Sequence, residues 1–198
     1  GALSIALSCI VGGLLGAIAG YYGGKLDNVI MRIMDVFLAI PSMLLAIAIV
    51  AAFGTSLVNV LLAIGISYVP TFARTVRAPI LTVKGQEYIE AAKAVGASDF
   101  RIIFKYILPN SMAPIIVQVT LGVAGAILSI AGLSFLGLGI QPPTPEWGLL
   151  LSNGRTYMMN SWHITLFPGL AIFTMAVGAN FIGDGLRDLL DPKLRTQF

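Results

Sequence analysis

The charged side chains that could act together in this chain are concentrated between Gln86 and Pro109. We name this stretch, QEYIEAAKAVGASDFRIIFKYILP, the docking segment (86–109). Its charged members are Glu87, Glu90, Lys93, Asp99, Arg101 and Lys105. A bilayer core disfavours so many charges, so the segment lies in water or at an interface. Its acids and bases suit ion pairing with another protein.

The docking segment is predicted to form two short helices that meet at a corner. Glu87–Val95 holds good helix formers, with acids in the first turn where they suit the positive end of the helix dipole. Gly96 suits a left-handed end to this helix, and Ser98 suits the N-cap of a second helix that Pro109 ends. One side of the first helix is small enough for another protein to approach closely, and it consists of Ala91, Ala92 and Val95.

No residue pattern favours catalysis or cofactor binding. The single histidine, His163, lies beside Trp162 near a membrane boundary, where an interfacial polar residue is a simpler interpretation than a general base. The sequence contains no metal-ligand cluster, no nucleophile elbow and no glycine-rich phosphate loop followed by Lys-Ser or Lys-Thr. We therefore expect a non-catalytic protein that binds no metal and no ATP by itself.

The composition is that of a membrane protein. Of the 198 residues 57% are hydrophobic and 11% are charged, and the mean hydropathy is +0.91, which excludes an ordinary soluble domain. We predict one all-α integral membrane domain with five transmembrane helices and the docking segment between the third and the fourth. The predicted spans are about 1–23, 29–53, 57–77, 111–138 and 163–183, with an outer loop at 139–162 and a charged tail at 184–198.

Glycine and proline predict details of these spans. Small residues allow two membrane helices to pack closely, and the first span has such a stripe at Gly12, Gly13, Gly16 and Gly20. Pro41 and Pro70 predict kinks in the second and third spans, because proline removes a backbone hydrogen bond.

The basic residues are divided unequally between the two sides of the membrane. With five spans, eleven of the 12 fall on the side of the docking segment, and Arg155 alone falls on the other. This bias identifies the docking side as cytoplasmic and explains the pI near 9.2 without a nucleic-acid ligand. The first span then begins outside, so we expect one more span upstream.

Ion-driven transport is an alternative class. Carriers driven by protons or sodium usually have acids near the membrane midplane. The acids of this chain fall at helix ends, and Asp35 is the ambiguous case. Arg32, on the same helix face, is its predicted partner in a structural ion pair, and Arg74 or Arg77 is another if the helices meet. The sequence favours an ion pair over a proton site.

The spacing within the docking segment resembles the EAA motif of binding-protein-dependent ABC import permeases. The match consists of Glu90-Ala91-Ala92, Gly96 six residues after the glutamate, and Leu108-Pro109. Tyr106 departs from the pattern, which usually has an aliphatic residue at that position. In the family this motif is the cytoplasmic coupling helix, which inserts into a cleft on the ATPase subunit.

Other patches resemble the dipeptide, oligopeptide and nickel branch of this family, and most closely its C-type subunit. They are LSFLGLG (133–139) with Pro142, Pro143, Pro145 and Trp147-Gly148, the GDGLRDLLDP sequence that ends at Pro192, and Glu87-Tyr88 before the EAA box. The resemblance covers essentially the whole chain. It implies that the N-terminal part of the family's permeases is missing here.

The resemblance implies a type I ABC importer permease core that carries dipeptides or oligopeptides. The implied partners are a second permease subunit in a heterodimer, two ABC ATPase subunits that use ATP and Mg²⁺, an outer substrate-binding protein, the peptide and membrane lipid. The implied location is a bacterial or archaeal cytoplasmic membrane, with the docking segment and the C-terminus in the cytoplasm. The implied ATPase-coupling residues are Glu87, Glu90, Ala91, Ala92, Gly96, Leu108 and Pro109.

The substrate path and the cargo stay open at this stage. Polar residues within the spans either line the path or hydrogen-bond between helices, and they are Ser67, Tyr68, Thr71, Gln118 and Asn180. The cargo is alternatively nickel or another small solute, because the binding protein largely decides it. The other classes are a stand-alone secondary transporter or channel and a membrane scaffold without transport.

Overall fold

The computed structural model describes residues 1–190, and within that range the chain is all-α. The helices are α1 (Ala2–Tyr22), α2 (Gly24–Leu38), α3 (Ser42–Phe53), α4 (Leu57–Lys84), α5 (Glu87–Ala94), α6 (Asp99–Arg101), α7 (Leu108–Asn110), α8 (Met112–Phe135), α9 (Trp147–Gly154) and α10 (His163–Leu190). A π-helical stretch, Ile102–Ile107, joins α6 to α7, and a 3₁₀ turn, Arg155–Tyr157, follows α9. In this part of the chain α1, α4, α8 and α10 are long and apolar enough to cross a membrane.

The predicted second span is broken rather than kinked. Helices α2 and α3 meet at an angle of 83°, and the pair makes a fifth crossing if it is taken as one span. Pro41 has extended backbone angles and lies immediately before α3. Because proline disfavours a helical conformation in the residue before it, α2 ends ahead of Ile40. Pro70, in contrast, lies inside the continuous helix α4.

Two membrane helices extend beyond their predicted apolar spans at their C-terminal ends. Helix α4 runs to Lys84 and α10 runs to Leu190, so each continues into charged sequence. Hydropathy detects the part of a helix that suits hydrocarbon, whereas backbone hydrogen bonding continues into the interface. The end of the predicted tail, 191–198 with Pro192, lies outside the described residues.

Glycines bring α1 into backbone contact with α4. An added Cβ at Gly12 would lie 2.4 Å from the carbonyl oxygen of Val69, and one at Gly16 would lie 2.2 Å from that of Ala73. Gly13 has a looser contact with α4, since its Cβ would lie 3.8 Å from the nearest atom, on the side chain of Val76. The predicted small-residue stripe is therefore the interface between these two helices, with Gly13 beside it rather than in it.

The docking segment and the end of α10 lie at one end of the helix bundle. Arg187 of α10 lines a groove together with Thr75 of α4 and Gln118 of α8, near the start of α8 that follows the docking segment. At the opposite end, α9 packs closely on the end of α8, where a Cβ at Gly148 would lie 2.6 Å from the carbonyl oxygen of Ala131. Arg155 follows α9, so it is separated from the basic residues of the docking end.

Candidate functional site

The docking segment is anchored to the bundle by an apolar core. Helix α5 contributes Ile89 and the π-helical stretch contributes Ile102 and Ile107, all three of them fully buried. They pack in one cluster with residues of α1, α4 and α8, namely Ala17, Tyr21, Val76, Ile80 and Ile115. Burying side chains of this size stabilises the contact by roughly 1.5–3 kcal/mol each. The segment therefore lies on the bundle as a fixed element.

Helix α5 has an inward face and an outward face. Ile89 and Ala92, three residues apart, point into the bundle, and Ala92 is 9% exposed. The outward face is open to solvent, and its members are Glu87, Tyr88, Glu90, Ala91 and Val95. An exposed surface of this kind, with two acids beside small and apolar side chains, is suited to a partner protein with a basic rim.

The predicted role of Ala92 on the partner-facing side is therefore corrected. Residues three apart lie on the same face of a helix, so Ala92 follows Ile89 into the bundle. Its small side chain allows α5 to lie close to the chain's own core. Ala91 and Val95 remain on the outward face, and Val95 is 84% exposed.

Gly96 has the left-handed conformation that the sequence predicts. Its φ is +79°, its N–H donates to the carbonyl of Lys93, and the N–H of Ala97 donates to the carbonyl of Ala92. This pair of hydrogen bonds is a Schellman motif, which satisfies the last carbonyl groups of α5. The corner of the docking segment therefore depends on a residue without a Cβ.

Replacing Gly96 by alanine is expected to lower the free energy of unfolding by about 1 kcal/mol, because an L-residue is strained at this φ. Gly85 is the matched control, since it also ends a helix but has a negative φ and no close neighbour for a Cβ. Unfolding of the purified protein in detergent measures both variants. Equal stability of Gly96→Ala and Gly85→Ala would contradict this account of the corner.

The second part of the docking segment begins as predicted and ends differently. Ser98 caps it, since its Oγ accepts a hydrogen bond from the N–H of Arg101. Pro109 does not end the helix ahead of itself, because α7 continues to Asn110. The π-helical stretch Ile102–Ile107 widens the preceding turns, where a regular α-helix would bring the proline ring against the carbonyl of Lys105.

An aromatic pair next to the corner was not singled out from the sequence. The rings of Phe100 and Phe104 have centroids 4.5 Å apart, and Phe100 is 71% exposed. Phe104 is 45% exposed and lines an apolar groove together with Leu14 of α1 and Met112 of α8. The spacing of four residues between Phe100 and Phe104, which places both on one helix face, was the available signal.

Tyr21 is a second feature that sequence reasoning missed. This buried residue at the end of α1 donates a hydrogen bond of 2.6 Å to Oδ1 of Asp99. Lys84 and Lys93 place their Nζ atoms 5.9 and 5.5 Å from the centroid of the Tyr21 ring. The last turn of α1 is thereby bound to both halves of the docking segment. No local pattern predicts this, because Tyr21 and Asp99 are far apart in sequence.

Of the partners predicted for Asp35, the structure shows one of the alternatives on α4. Asp35 pairs with Arg74 of α4, not with Arg32 of its own helix. A second pair joins the first turn of α2 to α4, because Arg77 donates hydrogen bonds of 2.5 and 2.6 Å from Nε and Nη2 to the two carboxylate oxygens of Asp27. Asp27 and Asp35 therefore both connect α2 to α4 through ion pairs.

The five polar residues named for the substrate path have different surroundings. Ser67 is buried and donates to the carbonyl of Ala63 in its own helix. Tyr68 packs against Gly125, so it joins α4 to α8. Thr71 is half-buried and Asn180 is exposed. Gln118 faces the groove that contains Arg187. Ser67 and Tyr68 therefore make contacts within this chain, and a role in the substrate path stays a prediction for all five residues.

Comparisons with known proteins identify the family of this chain. The family described as "Binding-protein-dependent transport system inner membrane component" matches residues 12–196. A dipeptide transport system permease protein, DppC, of Alkalihalophilus pseudofirmus is 53% identical over 196 residues, which cover 99% of this chain and 64% of that protein. A di/tripeptide permease, DppC, of Pseudomonas aeruginosa is 47% identical and covers 98% of this chain and 64% of that protein.

A glutathione transport system permease protein, GsiD, of Pectobacterium atrosepticum is 47% identical, with 99% of this chain and 65% of that protein covered. The chain thus spans less than two thirds of the length of these relatives. A chain of the inward-facing MetNI methionine ABC transporter has a TM-score of 0.70 at 18% identity, with 96% of this chain and 93% of that chain covered. That likeness shows the same fold. With a family match over most of its length and relatives that are 47–53% identical, the chain belongs to the binding-protein-dependent transport system inner membrane components.

Proposed function

We propose that the chain is a permease subunit of an ATP-driven importer of dipeptides or oligopeptides. The observation that carries this proposal is the outward face of α5, a short acidic helix fixed to the bundle through Ile89 and Ala92 and open to a partner. The names of the relatives support the peptide as cargo, since they include dipeptide, di/tripeptide and glutathione permeases.

In this proposal the chain supplies half of the translocation path and a second permease subunit supplies the other half. Two ATPase subunits bind and hydrolyse ATP with Mg²⁺, and an outer binding protein delivers the peptide. The docking segment and the end of α10 face the cytoplasm of a bacterial or archaeal cell, the side on which eleven of the 12 basic residues are predicted to fall. The permease itself catalyses no reaction.

In this proposal the motion of the ATPase subunits is transmitted to the permease through the outward face of α5. Glu90 pairs with a basic group in the cleft of the ATPase, and Ala91 allows close approach of the cleft wall. When ATP binding closes the two ATPase subunits, α5 moves with the cleft. The packed helices then tilt as rigid bodies between inward-open and outward-open arrangements. Gly96, Leu108 and Pro109 keep the two parts of the docking segment in their relative positions.

The assembled importer, reconstituted in vesicles with its binding protein, tests this function. We expect uptake of a labelled dipeptide that requires ATP on the docking-segment side. Uptake by the chain alone would support a secondary transporter or channel instead. Uptake of a nickel chelate but no peptide would replace the cargo and keep the mechanism. If no solute is transported under any of these conditions, the result would support a membrane scaffold without a transport role.

Glu90→Lys is expected to abolish most ATP-dependent uptake, because the reversed charge repels the basic group in the ATPase cleft. The fold is expected to stay intact, since Glu90 is exposed. Asp188→Lys is the matched control, an exposed acid on α10 to which the proposal gives no contact with the cleft. Uptake and ATP hydrolysis are measured on the same vesicles. Normal uptake with Glu90→Lys would count against the assignment of α5.

A further inference from the structure

The docking segment is continuous in sequence with only two of the membrane helices. It follows α4 through Gly85 and leads into α8 through Ser111. Helix α1 is remote in sequence, so any displacement of the docking segment reaches α1 only through contacts. The hydrogen bond between Tyr21 and Asp99 is the directional contact among them.

The geometry of Tyr21 makes this contact strong. A hydrogen bond of 2.6 Å from a phenolic O–H to a carboxylate has the length of a charge-assisted bond. The ring lies within cation–π distance of Lys93 on α5 and Lys84 at the end of α4. Tyr21 is therefore held by both helices of the docking segment and by the end of α4 that precedes them.

Helix α1 is in turn tied to α4 over several turns. At Gly12 and Gly16 the backbone of α1 touches the backbone of α4, and Gly20 touches Ile80. Because these backbones are in contact, one helix cannot slide past the other without breaking the packing between them. A force applied at Tyr21 thus acts on α1 and α4 together, at the end of the pair nearest the docking segment.

We infer that Tyr21 is a positioning residue of the importer, which transmits displacement of the docking segment to the α1–α4 pair through its hydrogen bond to Asp99. This inference rests on the proposed function. Without the bond, displacement of the docking segment reaches the α1–α4 pair only at the end of α4, through Gly85, and less of that displacement is passed on to the pair. The expected result is ATP hydrolysis that continues with less transport for each ATP consumed.

Tyr21→Phe tests the inference, because it removes the hydroxyl and keeps the ring between the two lysines. In the reconstituted importer we expect the number of peptides imported per ATP hydrolysed to fall about tenfold or more, the factor that corresponds to the lower values for a lost hydrogen bond to a charged group. Tyr22→Phe is the matched control, since Tyr22 is the next residue, lies at the same end of α1 and is exposed. Its ratio is expected to equal that of the unmodified importer.

Asp99→Ala provides the second arm of the experiment, because alanine has no acceptor for the Tyr21 hydroxyl. It is expected to lower the same ratio, and Tyr21→Phe combined with Asp99→Ala is expected to be no worse than the more severe single variant, because both remove the same hydrogen bond. A purely structural role would lower thermal stability and leave the ratio of the intact importer unchanged, and this result would overturn the inference. So would equal ratios for Tyr21→Phe and Tyr22→Phe. If the unmodified importer shows no ATP-dependent uptake, the proposed function fails and the inference fails with it.

Discussion

Replacing Gly16 by alanine is expected to force α1 and α4 apart and to lower the free energy of unfolding by about 3 kcal/mol, the upper part of the range for overpacking. The added methyl group would lie 2.2 Å from the carbonyl oxygen of Ala73. That oxygen belongs to the backbone of α4, so no side-chain rotation relieves the contact. The two helices have to separate along much of their interface.

Gly13→Ala is the control for this prediction, because it makes the same chemical change less than one turn away. A Cβ at Gly13 has 3.8 Å to its nearest neighbour, which is ordinary van der Waals contact. We expect its stability to match the unmodified protein or to exceed it slightly, since alanine favours helix over glycine by up to about 1 kcal/mol. Unfolding in mixed micelles with increasing SDS measures both variants. Similar losses for Gly13→Ala and Gly16→Ala would show that the interface is not as tight as the backbone contacts indicate.

Features that depend on one residue and its neighbours were predictable from the sequence. The left-handed Gly96 and the Ser98 cap follow from local backbone requirements, and both are found. The same holds for the glycine stripe of α1, although the sequence does not say which helix it meets. Local rules succeed here because the hydrogen bonds that satisfy a helix end come from residues within one turn of it.

The orientation of α5 and the choice among the partners of Asp35 could not be predicted from local sequence rules. Small residues are compatible with a partner's groove and with the chain's own core, so alanine alone did not say which way Ala92 faces. The spacing to Ile89 was the available signal. The pairing of Asp35 with Arg74 instead of Arg32 depends on where α2 meets α4. That meeting follows from the break before α3, whose angle no residue pattern specifies.

Arg77→Met is expected to lower the free energy of unfolding by about 3 kcal/mol, because it leaves the carboxylate of Asp27 without its partner. Asp27 is 8% exposed, so solvent does little to replace the two hydrogen bonds from Arg77. The expected loss is the lower end of the range of destabilisation for broken buried ion pairs, because the side chain of Arg77 is 32% exposed. Arg74→Met is the matched control on the same helix. Its pair with Asp35 has side chains that are 54% and 44% exposed, and such pairs contribute less than about 1 kcal/mol.

A double variant separates the loss of attraction from the burial of an unpaired charge. Adding Asp27→Asn to Arg77→Met removes the charge that would otherwise stay buried, so the double variant is expected to be more stable than Arg77→Met alone. Chemical unfolding of all three variants in the same detergent provides the comparison. If Arg77→Met and Arg74→Met lower the free energy of unfolding equally, or if adding Asp27→Asn restores no stability, the pair of Arg77 with Asp27 is only a surface contact. Helix α2 would then be attached to α4 chiefly by its apolar side chains.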